Sequence, residues 1–209
     1  MLEIQNGSII KGNRVLLDEI SLKFENQRVY GLVGINGSGK TMILKAITGF
    51  QRLTKGLVYQ NGTIIGPGNR TISKTGLVLG DQEFISYFTL KENLTLIKKI
   101  CPNAKTIDLE YWIKLFQIEK YQDIPYKDLS LGTKKKMVII QAFMDNPDIL
   151  ILDEPMNALD EKSVAITKML IKKQKEKGLV IMTSHYKNDI EDLCDTIIHV
   201  QEGKILKKD

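Results

Sequence analysis

Cysteine is nearly missing from this 209-residue chain. Cys101 and Cys194 lie far apart, in no CxxC or histidine-paired spacing, which argues against metal or redox roles and leaves two free, buried thiols as the expectation. Long apolar runs are missing too. No stretch reaches the roughly 18 to 20 residues that a membrane helix needs. The opening Met1-Leu2-Glu3-Ile4-Gln5 carries an acid and reads as a strand, unlike a secretory leader. A cytosolic chain that can dock on a membrane protein is therefore the expectation. Internal repeats and low-complexity linkers are also absent. Arginine is scarce beside lysine within a net charge of +5. Lys168, Lys172, Lys173, Lys175 and Lys177 spread along one helical segment as a solvated face would, rather than as a nucleic-acid stripe. What remains is an ordinary globular composition, 43% hydrophobic and 26% charged, sized for one domain or for a domain with one inserted lobe.

The order of elements follows from pattern. Short strands are predicted at 2–6, 15–17, 20–24 and 29–33, and a hairpin at 57–65 turns on Asn61-Gly62. A buried strand is expected at 75–79. The middle, from about 90 to 143, is mostly helical, with Leu94, Ile97 and Ile100 on one face and Trp112, Leu115 and Phe116 on another. The last third alternates: strand 148–152, helix 161–177, strand 179–183, helix 188–193, strand 196–200 and a final strand at 204–206. Such alternation predicts a mainly parallel sheet with helices on its faces, and the helical middle predicts a second lobe.

The most informative stretch is Gly34-Ile35-Asn36-Gly37-Ser38-Gly39-Lys40-Thr41. Two glycines four residues apart, then Lys and Thr, match a phosphate-binding pattern. Glycines let the chain wrap closely enough to aim backbone N–H groups at phosphate oxygens. Lys40 would reach the terminal phosphates and Thr41 would ligate Mg²⁺. A strand precedes the loop and a helix follows it, so the anion would sit at a helix N-terminus. Downstream, Ile149-Leu150-Ile151-Leu152 is continuously apolar and ends in Asp153-Glu154. That is how a strand buried on both faces reads. Asp153 would hold Mg²⁺ directly or through water, and Glu154 could take a proton from an attacking water. A strand ending in an acidic helix cap would look the same without the loop upstream.

In this context Leu129-Ser130-Leu131-Gly132-Thr133, Asn157-Ala158-Leu159-Asp160 and Thr183-Ser184-His185 complete a pattern over nearly the whole chain. The chain resembles the ATP-binding cassette (ABC) family, the ATPase subunits of ABC transporters. Leu193-Cys194-Asp195 and Glu202-Gly203-Lys204-Ile205 fit its closing pattern and make Cys194 a packing residue.

The resemblance implies an α/β P-loop NTPase (RecA-like) fold, with a mainly parallel core sheet, an N-terminal antiparallel β subdomain and an inserted α-helical subdomain. The core would take 1–82 and 146–209, and the helical insert, with the signature, 83–145. ATP would bind through Asn36, Gly37, Ser38, Gly39, Lys40, Thr41 and Asp153, with Ser130 and Gly132 closing on the nucleotide of a second cassette. Thr41, Asp153 and Gln82 would serve Mg²⁺; Glu154 and His185 would be catalytic. The implied partners are a membrane permease and a second cassette, identical or paralogous, with no nucleic acid. The implied place is the inner face of the cell membrane, and the implied task ATP-driven export of a drug, peptide or lipid-like compound.

The sequence also departs from the family pattern. Leu131 and Thr133 replace the commonest Gly and Gln of the signature. The base-stacking aromatic would fall at Ile10 or Lys11. Gly80 stands at the usual glutamine position, two residues before Gln82. Phe84, Ile85, Tyr87 and Phe88 form an apolar loop that either receives a partner or packs the helical lobe. Lys134 to Lys136 read as a solvated run. Two other readings stay open: a cassette used outside transport, in DNA repair, translation or cofactor assembly, and a regulatory module without turnover.

Overall fold

The computed structural model describes residues 1–66, 68, 70–80 and 82–208. Two sheets organise it. The first is antiparallel, in the order β2-β1-β4-β5, and joins Arg14–Phe24, Leu2–Lys11, Lys55–Gln60 and Thr63–Ile65. The second has six strands in the order β10-β9-β3-β8-β7-β6. Here β3 is Arg28–Val33, β6 Thr75–Val78, β7 Ile149–Leu152, β8 Leu179–Thr183, β9 Thr196–Gln201 and β10 Lys204–Lys208. All its neighbours run parallel except β10, which turns back antiparallel on β9.

The apolar runs of β7 and β8 are buried on both faces. Ile149, Ile151, Leu179 and Ile181 join one core with Ile43, Leu44 and Ile47 of helix α1 (Lys40–Ile47) and with Ile4, Phe24 and Val58 of the antiparallel sheet. Leu150, Leu152, Val180 and Met182 face the other core, filled by the remaining helices. Period-two alternation across two layers is what a central parallel strand requires.

Those helices are α2 (Leu90–Ile100), α3 (Leu109–Leu115), α4 (Leu131–Phe143), α5 (Glu161–Lys175) and α6 (Lys187–Leu193). Helix α4 reaches the sheet through a glycine: a Cβ on Gly76 would stand 1.8 Å from the Ala142 carbonyl oxygen. No other residue lets that backbone lie so close to β6. Trp112, Leu115 and Phe116 join the core as expected, but Ile100 is exposed at the last turn of α2.

Candidate functional site

The site gathers at the carboxyl ends of β3, β7 and β8, where open α/β sheets bind ligands. After β3 the loop folds on itself, with Ser38 N–H donating to the Ile35 carbonyl at 3.1 Å. Gly37 and Gly39 have φ of 78° and 112°, in the left-handed range that side chains avoid. At Gly34 a Cβ would meet the Val200 carbonyl oxygen at 2.2 Å. Gly39 opens α1 without a side-chain cap, which leaves the first helical N–H groups for a ligand. Lys40 Nζ donates to the carbonyls of Gly34 (2.7 Å) and Ile35 (3.0 Å), so its charge is held at the loop. Ser38 Oγ is buried without a hydrogen-bond partner, an orphan that a phosphate oxygen would satisfy.

Asp153 ties the end of β7 to the start of α1 and the end of β8. Its Oδ2 accepts from Thr41 Oγ1 at 2.8 Å, and its Oδ1 accepts from Thr183 Oγ1 at 2.7 Å. Thr183 in turn accepts from Glu154 N–H at 2.9 Å. Glu154 adopts a φ of 47°, which turns its side chain back from the strand end toward β8. Its Oε2 accepts from His185 N–H at 3.2 Å, while Oε1 lies 3.1 Å from His185 Nε2. Oε1 is buried and accepts no hydrogen bond. Burial pushes the Glu154 carboxyl above its ordinary value, against the opposing pull of His185.

A cavity of about 570 Å³ holds these groups together, lined among others by Asn36, Lys40, Thr41, Asp153, Glu154 and His185. Val15 and Leu16 line it too, and among the described residues no Phe, Tyr or Trp does. Ser130 and Gly132 are not among its lining residues. Ser130 caps α4 instead, its hydroxyl accepting from Thr133 N–H at 3.2 Å and lying 2.9 Å from Thr133 Oγ1. Thr133, the replacement for glutamine, is thus buried against the cap. Leu131 beside it is 72% exposed.

Gln82 lines an adjoining cavity of about 400 Å³ with Asp153 and Glu154, but its Oε1 accepts from Leu79 N–H at 3.1 Å. The run Lys134–Lys136 is not simply solvated. Lys136 pairs with Asp160 at 2.7 Å, and Lys134 lies 4.6 Å from the Tyr126 ring centre. Hydrogen bonding from Lys136 helps to bring the Asp160 carboxyl down to about 2. Burial pushes the Cys194 thiol up to about 12, so it packs under Gly31 as an inert group.

Three contributors play roles that sequence reasoning did not assign. Thr183 is visible only as the letter before Ser184-His185. Gly203, in the β9–β10 turn, donates its N–H to the Ser38 carbonyl at 2.8 Å and so ties the end of the chain to the loop. Asn93 is buried in α2 and binds the backbone of Ile85, Phe88 and Thr89 through four hydrogen bonds. Of the apolar loop it clamps, Phe84 packs on Tyr126, whereas Ile85, Tyr87 and Phe88 are exposed.

The sequence model of the ABC transporter family matches residues 17–157. This chain belongs to that family. It is an ATP-binding subunit of ABC transporter type, an ATPase by family. It is 34% identical to the uncharacterized ABC transporter ATP-binding protein YybJ of Bacillus subtilis, over 98% of this chain and 94% of the relative. It is 31% identical to the lantibiotic transport ATP-binding protein SrtF of Streptococcus pyogenes, over 99% and 89%. In fold the cassette is similar to a solved dimeric, post-hydrolysis ATP-binding cassette holding ADP and Pi. The TM-score is 0.84 at 22% identity, covering 100% of this chain and 98% of that one.

Proposed function

We propose that this cassette hydrolyses ATP to drive export of a peptide-like or other amphipathic compound through a separate membrane permease. The observation that carries the hydrolytic part is the unbonded Glu154 Oε1 beside His185, at the end of the strand whose Asp153 binds Thr41. The phosphates would lie in the loop of Asn36, Gly37, Ser38 and Gly39, with Lys40 supplying positive charge. Thr41 and Asp153 offer a hydroxyl and a carboxylate oxygen 2.8 Å apart, hard donors suited to Mg²⁺ between phosphates. Gln82 would join them by giving up Leu79 N–H. When bound, the ion neutralises phosphate charge. Glu154 takes a proton from water as the water oxygen bonds to the γ-phosphorus and the bond to the β–γ bridging oxygen breaks, leaving ADP and phosphate. A carboxyl raised by burial is a better base near neutrality than an ordinary one. His185, held on Glu154, keeps that carboxylate aimed at the cavity.

Ser130 and Gly132 stand apart from the loop cavity, which favours a site closed by a second cassette, a copy of this chain or a paralogue. The solved cassette that it resembles is dimeric. Segment 83–145 would act as a helical lobe on the core of 1–82 and 146–209. Its exposed Ile85, Tyr87 and Phe88, clamped from beneath by Asn93, suit a permease contact. No helix of the described residues is long and apolar enough to cross a membrane, so the permease would hold this chain at the inner membrane face. Export is favoured by the likeness to a lantibiotic transport subunit. The test is to purify the chain from membranes and identify the integral protein that comes with it, then assay peptide resistance in its absence. A co-purifying importer, or recovery with ribosomes or DNA alone, would overturn the reading.

A further inference from the structure

Helix α5 carries Lys168, Lys172 and Lys175 at i, i+4 and i+7, one stripe of its surface. Opposite them stand Asp189 and Asp192 of α6 and Asp195 beyond it. Lys168 Nζ lies 2.7 Å from Asp189 Oδ1, Lys172 Nζ lies 2.7 Å from Asp192 Oδ1, and Lys175 pairs with Asp195. The lysine face is therefore a row of ion pairs rather than a free solvated surface. The first rung differs in depth: the side chains of Lys168 and Asp189 are 24% and 11% exposed, against 55% and 43% for Lys172 and Asp192.

It differs also in what lies beyond it. Asp189 Oδ2 accepts from Ser184 Oγ at 3.3 Å, and Ser184 Oγ accepts from Tyr186 N–H at 3.1 Å. Asp189 N–H donates to the Tyr186 carbonyl at 3.1 Å. These bonds close the turn around His185, whose N–H and ring meet the two oxygens of Glu154. Among the described residues, Asp192 bonds only to Lys172 and Lys168 and has no such route to the turn.

We propose that Asp189, braced by Lys168, is a positioning residue that sets His185, and through it Glu154, for hydrolysis. The lysine is needed because a carboxylate this deep would otherwise be an uncompensated charge. A carboxylate paired with a lysine is a strong, directional acceptor for Ser184. The inference rests on Glu154 being the base.

The experiment compares steady-state ATPase of the full chain in Asp189→Ala, Asp189→Asn, Lys168→Met, Lys172→Ala and Glu154→Gln. Misplacing a catalytic group by about an ångström costs up to about 100-fold. Asp189→Ala should lose about 10- to 100-fold in kcat with KM for ATP within about twofold. Asp189→Asn, which keeps an acceptor for Ser184, should recover most of the rate, Lys168→Met should fall between, and Lys172→Ala should match wild type. Wild-type kcat in Asp189→Ala, a parallel loss of nucleotide affinity, or an equal loss in Lys172→Ala would overturn the proposal. If Asp189→Ala does not fold, wild-type rates in both Asp189→Asn and Lys168→Met overturn it. Undiminished turnover in Glu154→Gln sinks the parent reading, whereas an inactive Glu154→Gln beside a fully active Asp189→Ala sinks this inference alone.

Discussion

The proposed phosphate and base ends of the cavity are built on different principles. At the phosphate end the polar groups are tied to partners: Lys40 to the carbonyls of its loop, Thr41 to Asp153, Asp153 to Thr183, Glu154 to His185. At the proposed base end stand Val15, 53% exposed, and Leu16, and among the described residues no Phe, Tyr or Trp lines the cavity to stack on a nucleobase. The first end is directional and preorganised, the second is an aliphatic ledge that offers dispersion alone. Affinity and chemistry should therefore live in the phosphates, and the identity of the base should matter little.

The sharpest way to break this contrast is at Glu154. Glu154→Gln should lower phosphate release by about 10²- to 10⁴-fold, the usual contribution of a general base, while ATP still binds. Size-exclusion chromatography of the variant with ATP should show a two-cassette species, from the chain alone if it pairs with itself. Turnover at the wild-type rate would remove Glu154 from its role. Next in size is Lys40→Ala, which deletes charge from the phosphate end. Loss of hydrogen bonds to a charged group should weaken ATP about 10- to 100-fold by calorimetry, and unchanged affinity would end the claim that this end holds the ligand.

A pH series sharpens the same end. Because burial raises the Glu154 carboxyl, the base is lost by protonation at a higher pH than for a free glutamate. The rate should therefore fall with acidification through a limb displaced toward neutrality, and Glu154→Gln should abolish that limb. A limb at the ordinary glutamate value would contradict the burial effect. The smallest effects belong to the base end. ATP and GTP should bind within about threefold of each other, and Lys11→Tyr should tighten both by about 1 kcal/mol if its ring stacks on the base. A tenfold preference for ATP in the unaltered chain would show that the ledge reads the base after all.

Much of this was legible in the order of letters. Glycines at 34, 37 and 39, the lysine and threonine after them, and an apolar strand ending in Asp153-Glu154 each carry a local physical requirement. Such requirements survive without knowledge of the fold. The loop–helix junction, the alternating last third and the helical middle were readable for the same reason. Other features depend on partners distant in sequence. Thr183 matters because β8 lies between β3 and β7, so its hydroxyl reaches the Asp153 carboxylate and the Glu154 backbone N–H. Asn93 resembled any polar helix residue until the loop at Ile85–Phe88 folded over it. Ile100 followed the helical period, yet α2 ends there and nothing covers it.

The sequence by itself determined a glycine loop of phosphate-binding pattern and a carboxylate pair at the end of a buried strand, because glycine freedom and hydrophobic period act over a few residues. It also carried enough motifs, in order, to place the chain among ABC transporter ATPases. Only the tertiary structure decided that Gly203 closes the loop from the far end of the chain. Only it showed that Thr133 turns inward to the Ser130 cap, and that Lys168, Lys172 and Lys175 of α5 are ion-paired to aspartates about twenty residues away. Those outcomes rest on which surfaces are pressed together when the sheets and the helices packed on them share their cores, and that is not written in any local pattern.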